Sequence, residues 1–563
     1  MAAASLFALS SASAVVRAEV LAPELAAQVD RLFSEWDRFD SPGASIAILR
    51  DGEVAYARGY GLANLETRSP VTPSTVFHVA SVSKQFTDFA LVLLELDGKL
   101  ALDDPVGKYL PQLGELGSNV TLRQLGHHTS GYRDQWELLA ISGTRLDDVI
   151  TTDHILHLAS RQRELNFEPG SEYLYSNTGF TLLGQVAAQV SGKSFPDLCY
   201  ERIFRPLRMA NTHFHDDHRR LVPGRAESYD RSSTGGWQKS VLSYANAGAT
   251  SLFTTATDLA HWMANFETGA VGGKAAISTL HQRGVLNDGS EIDYALGLVH
   301  GKMRGLETLS HGGADAGFRS ILLYFPKHAL GIAVLANSPL VDPRARAREV
   351  AELLLGDQME PLPADVPSQE AAPETVSLEP STLDQYAGTY RFEDLGAVVR
   401  VFRRARTLRA LVPQTGETAL QPVSEREFFI KELGGRLTFA EPVGGRSPSL
   451  LAEIPGQRLE GVRIETLSGQ ELRQYEGWYL SPELETLYRV EAGTEGLVAN
   501  HVRNGAIELL ALGSDEFQGT EWYFSQVRFE RNEEGAVHGF RLSGGRVRNL
   551  LFRRVDASEL GLP

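Results

Sequence analysis

Apolar and polar residues alternate on both sides of an Asp-Gly turn in the segment 43–61, GASIAILRDGEVAYARGYG. Side chains along a β-strand point to opposite faces in turn, so this pattern predicts a β-hairpin. A second apolar hairpin is predicted at 320–337, SILLYFPKHALGIAVLAN. Helical periodicity is found between them, around 81–97, 178–191 and 257–266. Strands at both ends with helices between predict an α/β core over residues 20–357, whose terminal strands share one sheet.

The composition changes after this core. Residues 358–382 contain five prolines, several acidic residues and no aromatic residue, which is typical of a linker. The chain then repeats itself, in segments predicted to be two domains at 383–470 and 471–563.

The repeat consists of aromatic residues at matching spacings. Tyr386 begins YAGTY, and Tyr475 begins YEGWY 89 residues later. Each tyrosine is followed 42 residues on by a phenylalanine, Phe428 or Phe517. Both segments are rich in short strand patterns and glycine-bearing turns. They predict two small antiparallel β-barrels.

Charge and composition exclude several classes of protein. The 563 residues carry a net charge of −17, which argues against nucleic acid as a partner because phosphate binding needs clustered lysine and arginine. The single cysteine, Cys199, permits neither an intrachain disulfide nor a cysteine-rich metal site. The sequence predicts no transmembrane span, and it does not indicate an oligomeric state.

The first residues resemble a secretory signal. Residues 1–18 are small and apolar, and Ala12-Ser13-Ala14 fits a cleavage site. The basic residues that normally precede the apolar stretch are missing. We expect a periplasmic or secreted protein, with a frayed helical N-terminus as the alternative.

The most informative short motif is Ser81-Val82-Ser83-Lys84, at the head of an apolar helical segment. Residues i and i+3 share a helix face, so we expect the Lys84 amine to lie near the Ser81 hydroxyl. The helix N-terminus and burial both disfavour a protonated amine there. A neutral lysine can take the serine proton and make Ser81 a nucleophile. Taken alone, the motif is weak evidence, because it is more often a capping serine beside a surface lysine.

Two further motifs follow in order. Tyr175-Ser176-Asn177 precedes a helix, and His311-Gly312-Gly313 precedes a strand. With the serine motif, they make the chain resemble the serine β-lactamase and penicillin-binding protein superfamily, in its class-C-like branch. The resemblance covers about residues 25 to 340. It implies an α/β (α+β) catalytic domain with an antiparallel sheet flanked by helices, followed by two small, lipocalin-like all-β barrels.

The resemblance also implies roles for the motif residues. Ser81 would be acylated, and Lys84 and Tyr175 would share the work of general base. Asn177 would bind the substrate amide, Gly313 and Ala314 would line the substrate site, and the Ser81 and Ala314 N–H groups would form the oxyanion hole. Small molecules or short peptides would be the substrates, and no cofactor is implied.

His311 departs from the lactamase pattern and is the fourth predicted catalytic residue. Lactamases usually carry lysine here, a permanent cation that attracts a substrate carboxylate, whereas histidine is largely neutral at pH 7. The change suits esters or peptides that lack a nearby carboxylate. The two C-terminal barrels, which D-aminopeptidases of this branch also carry, favour an amide or peptide hydrolase of the D-aminopeptidase type. An esterase and a class-C-like β-lactamase are the alternatives, and a ligand-binding protein without catalysis is an alternative from another class.

One string suggests a different chemistry. HFHDDH contains His213, His215, Asp217 and His218, and it fits the zinc signature of metallo-hydrolases. It follows a segment that leads to the surface in the serine family, so we interpret it as a solvated loop and predict no metal. His127 and His128 are interpreted as a helix end and a turn.

Overall fold

The computed structural model describes residues 21–361, 373–412, 416–431, 433–465, 467, 469–493 and 496–560. The predicted signal segment 1–18 lies outside these residues, as does the middle of the predicted linker. The described residues divide into two compact units. Unit 1 is Met1–Leu100, Ala187–Gly284 and Asp293–Glu360, and unit 2 is Ala101–Val186, Val285–Ile292 and Pro361–Pro563. The segment 101–186 thus clusters with the barrels, and the boundaries drawn from the sequence stay predictions.

Unit 1 is built on a six-stranded antiparallel sheet. Its strands in spatial order are Val299–Met303, Leu306–Asp315, Phe318–Phe325, Leu330–Ala336, Ala44–Arg50 and Glu53–Tyr60. The N-terminal hairpin pairs with the C-terminal strand, with Ala47 opposite Ala333. Both predicted hairpins and the shared sheet are therefore confirmed.

Helices cover both faces of this sheet. They are Pro23–Leu32, Lys84–Leu96, Phe195–Cys199, Ala256–Thr268, Gly273–Leu280 and Pro343–Leu355. Strand Ala44–Arg50 is buried along almost its whole length, because Ile46 and Ile48 pack into a core on one face while Ala47 and Leu49 are buried on the other. Short strands complete unit 1: Leu62–Asn64, Ser69–Pro70, Phe77–His78, His213–Phe214, Tyr229–Arg231, Trp237–Lys239, Tyr244–Ala245 and Leu252–Thr254.

Unit 2 contains a helical segment and the barrels. Its helices are Gly114–Asn119, Leu122–Gly126, Gln135–Ile141, Thr152–Arg161, most of Asn177–Ser191, Pro380–Asp384 and Gly469–Leu472, and its short strand is Ile150–Thr151. In the described part of the chain, every helix is too short or too polar to cross a membrane.

Both repeats form closed eight-stranded barrels. The first barrel consists of Gly388–Phe392, Ala397–Arg404, Thr407–Val412, Gly416–Pro422, Glu427–Ile430, Gly435–Phe439, Ser449–Ile454 and Gln457–Ile464. The second consists of Gly477–Ser481, Thr486–Ala492, Gly496–His501, Gly505–Gly513, Glu516–Gly519, Gln526–Arg531, Val537–Ser543 and Leu550–Val555. Each closes by pairing its first and last strands, Thr389 with Ile464 and Trp478 with Val555.

The repeated tyrosines have the same structural role in each barrel. The Tyr390 hydroxyl donates to the Tyr386 carbonyl oxygen, and the Tyr479 hydroxyl donates to that of Tyr475, both at 2.8 Å. The rings of Tyr386 and Tyr475 are buried against the paired phenylalanines. The predicted fold class, an α/β catalytic core followed by two barrels, is confirmed.

Candidate active site

Ser81 lies in a tight turn that feeds a buried helix. A 3₁₀ turn, Ala80–Ser83, precedes helix Lys84–Leu96, and Ala80 has the left-handed φ of 48°. The Ser83 hydroxyl donates to the Ala80 carbonyl oxygen at 2.5 Å and accepts from Leu252 N–H at 3.1 Å. A strained residue held by its neighbours in this way is common at functional sites, and here it fixes where Ser81 stands.

Lys84 lies directly beside Ser81. Residues i and i+3 eclipse in a 3₁₀ turn, and Lys84 Nζ is 3.1 Å from Ser81 Oγ. The same amine donates to the Ala249 carbonyl oxygen at 2.8 Å, and the lysine side chain is fully buried. Burial raises the pKa of Asp88, one helical turn further on, well above its usual range. Burial thus favours the neutral form of this carboxyl, which places less negative charge beside Lys84 than an ordinary aspartate would.

Gly313 explains why the third motif needs glycine. Strand Leu306–Asp315 packs so closely on the Ser81 turn that a Cβ at Gly313 would lie 2.2 Å from the Val79 carbonyl oxygen. Ser320, on the adjacent strand, donates to the same oxygen at 2.8 Å. Ala314, the next residue, follows at the end of this strand. This packing places the third motif directly against the serine turn. The oxyanion roles of the Ser81 and Ala314 N–H groups stay predictions.

His311 is buried and has both ring nitrogens engaged. Nδ1 lies 2.7 Å from the Gly312 carbonyl oxygen, which can only accept, so Nδ1 carries the proton. Nε2 then accepts from the Tyr294 hydroxyl at 2.9 Å. Burial, with Lys84 as the next cause, lowers the pKa of His311 to about 3. The imidazole is therefore neutral at pH 7, and this strand carries no cation where lactamases have one.

The second motif lies in unit 2 and is organised by a buried carboxylate. Asn177 opens helix Asn177–Ser191, and its backbone N–H and its Nδ2 both donate to Asp134 Oδ2 at 2.7 Å. A carboxylate only accepts hydrogen bonds, so this contact fixes the orientation of the Asn177 amide. Asp134 Oδ1 accepts from Trp136 N–H and caps helix Gln135–Ile141.

Tyr175 packs against His128, a residue that the sequence suggested was a simple turn. Their ring centroids are 4.0 Å apart, and His128 Nδ1 accepts from Ser176 N–H at 3.0 Å. His128 is buried with a left-handed φ of 59°, so it is indeed in a turn after helix Leu122–Gly126. Tyr173, two positions before Tyr175, is 41% exposed.

A loop of the second barrel meets the second motif within unit 2. Residues 544–549 connect strands Val537–Ser543 and Leu550–Val555, and we refer to them as the 544–549 loop. In this loop the guanidinium carbon of Arg546 lies 4.8 Å from the Tyr175 ring centroid. Asp134, His128 and Arg546 were all missed from the sequence, because only the folded chain brings them to Tyr175 and Asn177.

The string HFHDDH has few features of a metal centre. His213 Nε2 and His215 Nδ1 are 3.3 Å apart, and burial lowers the pKa of both histidines to about 4. The Asp217 carboxylate is paired with Arg219. Among the described residues, no group of three or more histidine, cysteine, aspartate or glutamate side chains is placed to hold a metal ion.

Comparison with known proteins identifies the family. The family profile described as Beta-lactamase matches residues 29–356, more than half of the chain. The chain belongs to the β-lactamase family. It is accordingly an enzyme, a β-lactamase-family serine hydrolase.

Relatives in this family include D-aminopeptidases. The D-aminopeptidase of Gluconobacter oxydans (strain 621H) is 26% identical over 539 residues, which cover 92% of this chain and 97% of that protein. The D-aminopeptidase of Brucella anthropi is 30% identical over 287 residues, and that match spans about half of each chain, 50% and 53%. A penicillin-binding protein of Bacillus subtilis (strain 168) is 27% identical over 431 residues, which cover 74% of this chain and 93% of that protein.

Two solved structures share the fold. The octameric penicillin-binding protein homologue from Pyrococcus abyssi has a TM-score of 0.53 at 24% identity and covers 78% of this chain and 99% of its own. The D-amino acid amidase from Ochrobactrum anthropi SV3, complexed with L-phenylalanine amide, has a TM-score of 0.51 at 23% identity and covers 60% and 99%. Both likenesses concern the fold alone.

Proposed function

We propose that this β-lactamase-family enzyme is a D-aminopeptidase-type hydrolase, which removes an N-terminal D-residue from amides or short peptides through an acyl-enzyme on Ser81. The observation that carries the nucleophilic chemistry is the 3.1 Å contact between Lys84 Nζ and Ser81 Oγ. A base within hydrogen-bond reach of a serine hydroxyl is what activation of that serine requires.

In the proposed reaction, Ser81 Oγ attacks the scissile carbonyl carbon and its proton passes to the base shared by Lys84 and Tyr175. The oxyanion that forms is held by the N–H groups of Ser81 and Ala314. The base then returns the proton to the leaving amine, the C–N bond breaks, and an ester on Ser81 remains. Water, deprotonated by the same base, cleaves that ester and restores the Ser81 hydroxyl.

The remaining motif residues are assigned to the substrate. Asn177 would bind the substrate amide, and its fixed contact with Asp134 supports that assignment because an oriented amide loses little freedom on binding. Gly313 and Ala314 would line the substrate site along strand Leu306–Asp315. His311 is proposed to act as a neutral group there, in keeping with its two internal hydrogen bonds.

The substrate class is supported by the relatives rather than by the site. The match to the Gluconobacter D-aminopeptidase covers 92% of this chain, so it extends well beyond the residues matched by the family profile. The neutral His311 also argues against a lactamase, since the strand offers no charge to a β-lactam carboxylate.

One purified sample tests the proposal against its alternatives. D-alanine p-nitroanilide, its L-enantiomer, p-nitrophenyl acetate and nitrocefin are offered to the wild type and to Ser81→Ala. We expect the D-amide to be the best substrate and Ser81→Ala to lose at least about three orders of magnitude of turnover. A preference for the ester or for nitrocefin would contradict the aminopeptidase assignment and identify an esterase or a lactamase.

Two controls complete this experiment. A fluorophosphonate probe should label Ser81 in the folded wild type, and failure to label would favour the non-catalytic binding protein. EDTA should leave turnover unchanged, whereas EDTA-sensitive activity that survives Ser81→Ala would point to HFHDDH.

The periplasmic or secreted location is part of the same proposal. It is supported by the cleavage motif Ala12-Ser13-Ala14. The test is N-terminal sequencing of the protein recovered from the separated cell fractions. An uncleaved chain, which begins before residue 12 and is found in the cytoplasm, would contradict the proposal.

A further inference from the structure

The backbone of the 544–549 loop is fixed independently of its arginine side chains. Arg546 N–H donates to the buried Glu137 carboxyl at 2.6 Å, and the Arg546 carbonyl oxygen accepts from Asp134 N–H and from Asn166 Nδ2. A Cβ at Gly544 would lie 1.7 Å from Glu137 Oε1, so a larger residue there would require the Glu137 side chain to move. The backbone position from which the Arg546 side chain extends is therefore set by peptide groups.

The Arg546 guanidinium is left largely available by these contacts. Its side chain is 46% exposed, and its contact with the Asp134 carboxylate is long, 3.9 Å from Nη1 to Oδ2. That oxygen already accepts two hydrogen bonds from Asn177 at 2.7 Å. Arg548, two residues on, differs because its Nη1 donates to Glu172 Oε2 at 2.8 Å.

The third motif supplies no cation of its own. His311 is neutral, and both of its nitrogens are hydrogen-bonded. Arg546, by contrast, lies over the ring of Tyr175 and beside the carboxylate that orients Asn177. A planar guanidinium is suited to binding a carboxylate through two parallel hydrogen bonds.

We propose that Arg546 is a specificity-determining residue that binds the free carboxylate of a short peptide substrate, so that dipeptide acids are preferred over the matching amides. This inference rests on the proposed function, since it takes Tyr175 and Asn177 as residues that face the substrate. It makes a carboxylate-bearing substrate compatible with a neutral His311, because the cation comes from a different part of the chain.

The test compares D-alanyl-glycine with D-alanyl-glycinamide, which differ only in that carboxylate. The wild type should have the higher kcat/KM for the acid. Arg546→Gln should lower the ratio of kcat/KM for the acid to that for the amide about tenfold, as loss of one ionic hydrogen-bonded pair does. Arg548→Gln, on the same loop, is the matched control and should keep the wild-type ratio of acid to amide.

Equal loss for acid and amide in Arg546→Gln would overturn the proposal, since Arg546 would then be only a counter-ion for Asp134. A wild type without preference for the acid would overturn it as well. If neither dipeptide is hydrolysed, the proposed function is wrong. The carboxylate site is then tested separately, by measuring how far each of the two compounds slows fluorophosphonate labelling of Ser81. Stronger protection by the acid that disappears in Arg546→Gln would still support the carboxylate site, and equal protection would refute it.

Discussion

The Tyr294 hydroxyl donates to His311 Nε2 across 2.9 Å, and this contact leaves the imidazole without a free nitrogen. The other nitrogen is bound by the adjacent Gly312 carbonyl oxygen. Protonation of His311 at Nε2 would require the Tyr294 hydroxyl to turn and accept the hydrogen bond, and it would place a charge near Lys84. The low pKa of His311, about 3, follows from burial and from Lys84.

Replacing His311 by lysine should change which substrates are preferred. A permanent cation about 4 Å from a carboxylate is worth at most about 4 kcal/mol at an effective dielectric near 20, and a lysine at this buried position loses part of that to desolvation. We expect His311→Lys to raise turnover of nitrocefin relative to a neutral ester by about tenfold. His311→Gln, which adds no charge, is the control. An unchanged ratio in His311→Lys would show that residue 311 does not contact the charged end of the substrate.

Buried neutral histidines should make the protein sensitive to acid. The folded pKa of His311, about 3, is below the value of about 6.5 for an unfolded histidine. Between these values the unfolded state binds a proton that the folded state does not, so the free energy of unfolding falls as pH falls from 6.5 towards 3. His311→Asn should reduce the slope by up to about 1.4 kcal/mol per pH unit.

Urea unfolding at half-unit steps from pH 7 to pH 4 measures that slope. His218→Asn, at an exposed position, serves as the control and should keep the wild-type slope. Parallel curves for wild type and His311→Asn would mean that His311 does not contribute.

Lys84 and Tyr175 are predicted to act as one base. Lys84→Ala and Tyr175→Phe should each lower kcat by about 100- to 10,000-fold, and the double variant should cost little more than either change, because groups that act together are non-additive. Single-turnover acylation rates measure this. Tyr173→Phe, two positions away and exposed, should leave the rate near wild type. A rate loss in the double variant equal to the product of the two single losses would contradict a shared base.

The ion pair between Arg133 and Glu483 should stabilise unit 2. Arg133 Nη1 donates to Glu483 Oε2 at 2.8 Å, and their side chains are 0% and 4% exposed. Removing one partner leaves a buried charge, so Glu483→Gln should lower the free energy of unfolding by about 3 kcal/mol. Glu485→Gln removes the half-exposed pair with Arg161 and should cost about 0.5 kcal/mol or less. Thermal denaturation of both variants gives the comparison, and equal Tm values would contradict the prediction.

The ion pair between Arg133 and Glu483 also affects the expected stability of a truncated chain. A fragment ending near residue 360, before the proline-rich linker, would lack the second barrel, which in unit 2 supplies Glu483 and the Arg548 carbonyl oxygen to Arg133. Such a fragment would leave Arg133 without these partners, and we therefore expect it to be less stable than the full chain.

The features predicted from the sequence are those fixed by short spacings. Ser81 and Lys84 are three residues apart, so one helical turn decides their contact. The hairpins follow from alternating apolar residues, and the barrels follow from the repeated Tyr386 and Tyr475. Each of these signals lies within one segment of chain and needs no knowledge of the tertiary fold.

The remaining parts of the site depend on contacts between segments distant in sequence. Ala249 receives a hydrogen bond from Lys84 through a backbone carbonyl, which carries no sequence signal at all. Asp134 looks like an ordinary helix cap, and it is one, but its second oxygen also holds Asn177. Arg546 is one of two arginines in a glycine-bearing loop, and only the packing of that loop distinguishes it from Arg548.

The attachment of the 544–549 loop through peptide groups has a consequence for protein engineering. Glu137 binds the backbone N–H of residue 546, and Asp134 and Asn166 bind its carbonyl oxygen. Every amino acid has both groups, except proline, which lacks the N–H. A library of residues at this one position would therefore vary the chemical group presented to Tyr175 while the loop keeps its path. Under the role proposed for residue 546, variants with acidic, aromatic or small side chains there are expected to select different leaving groups.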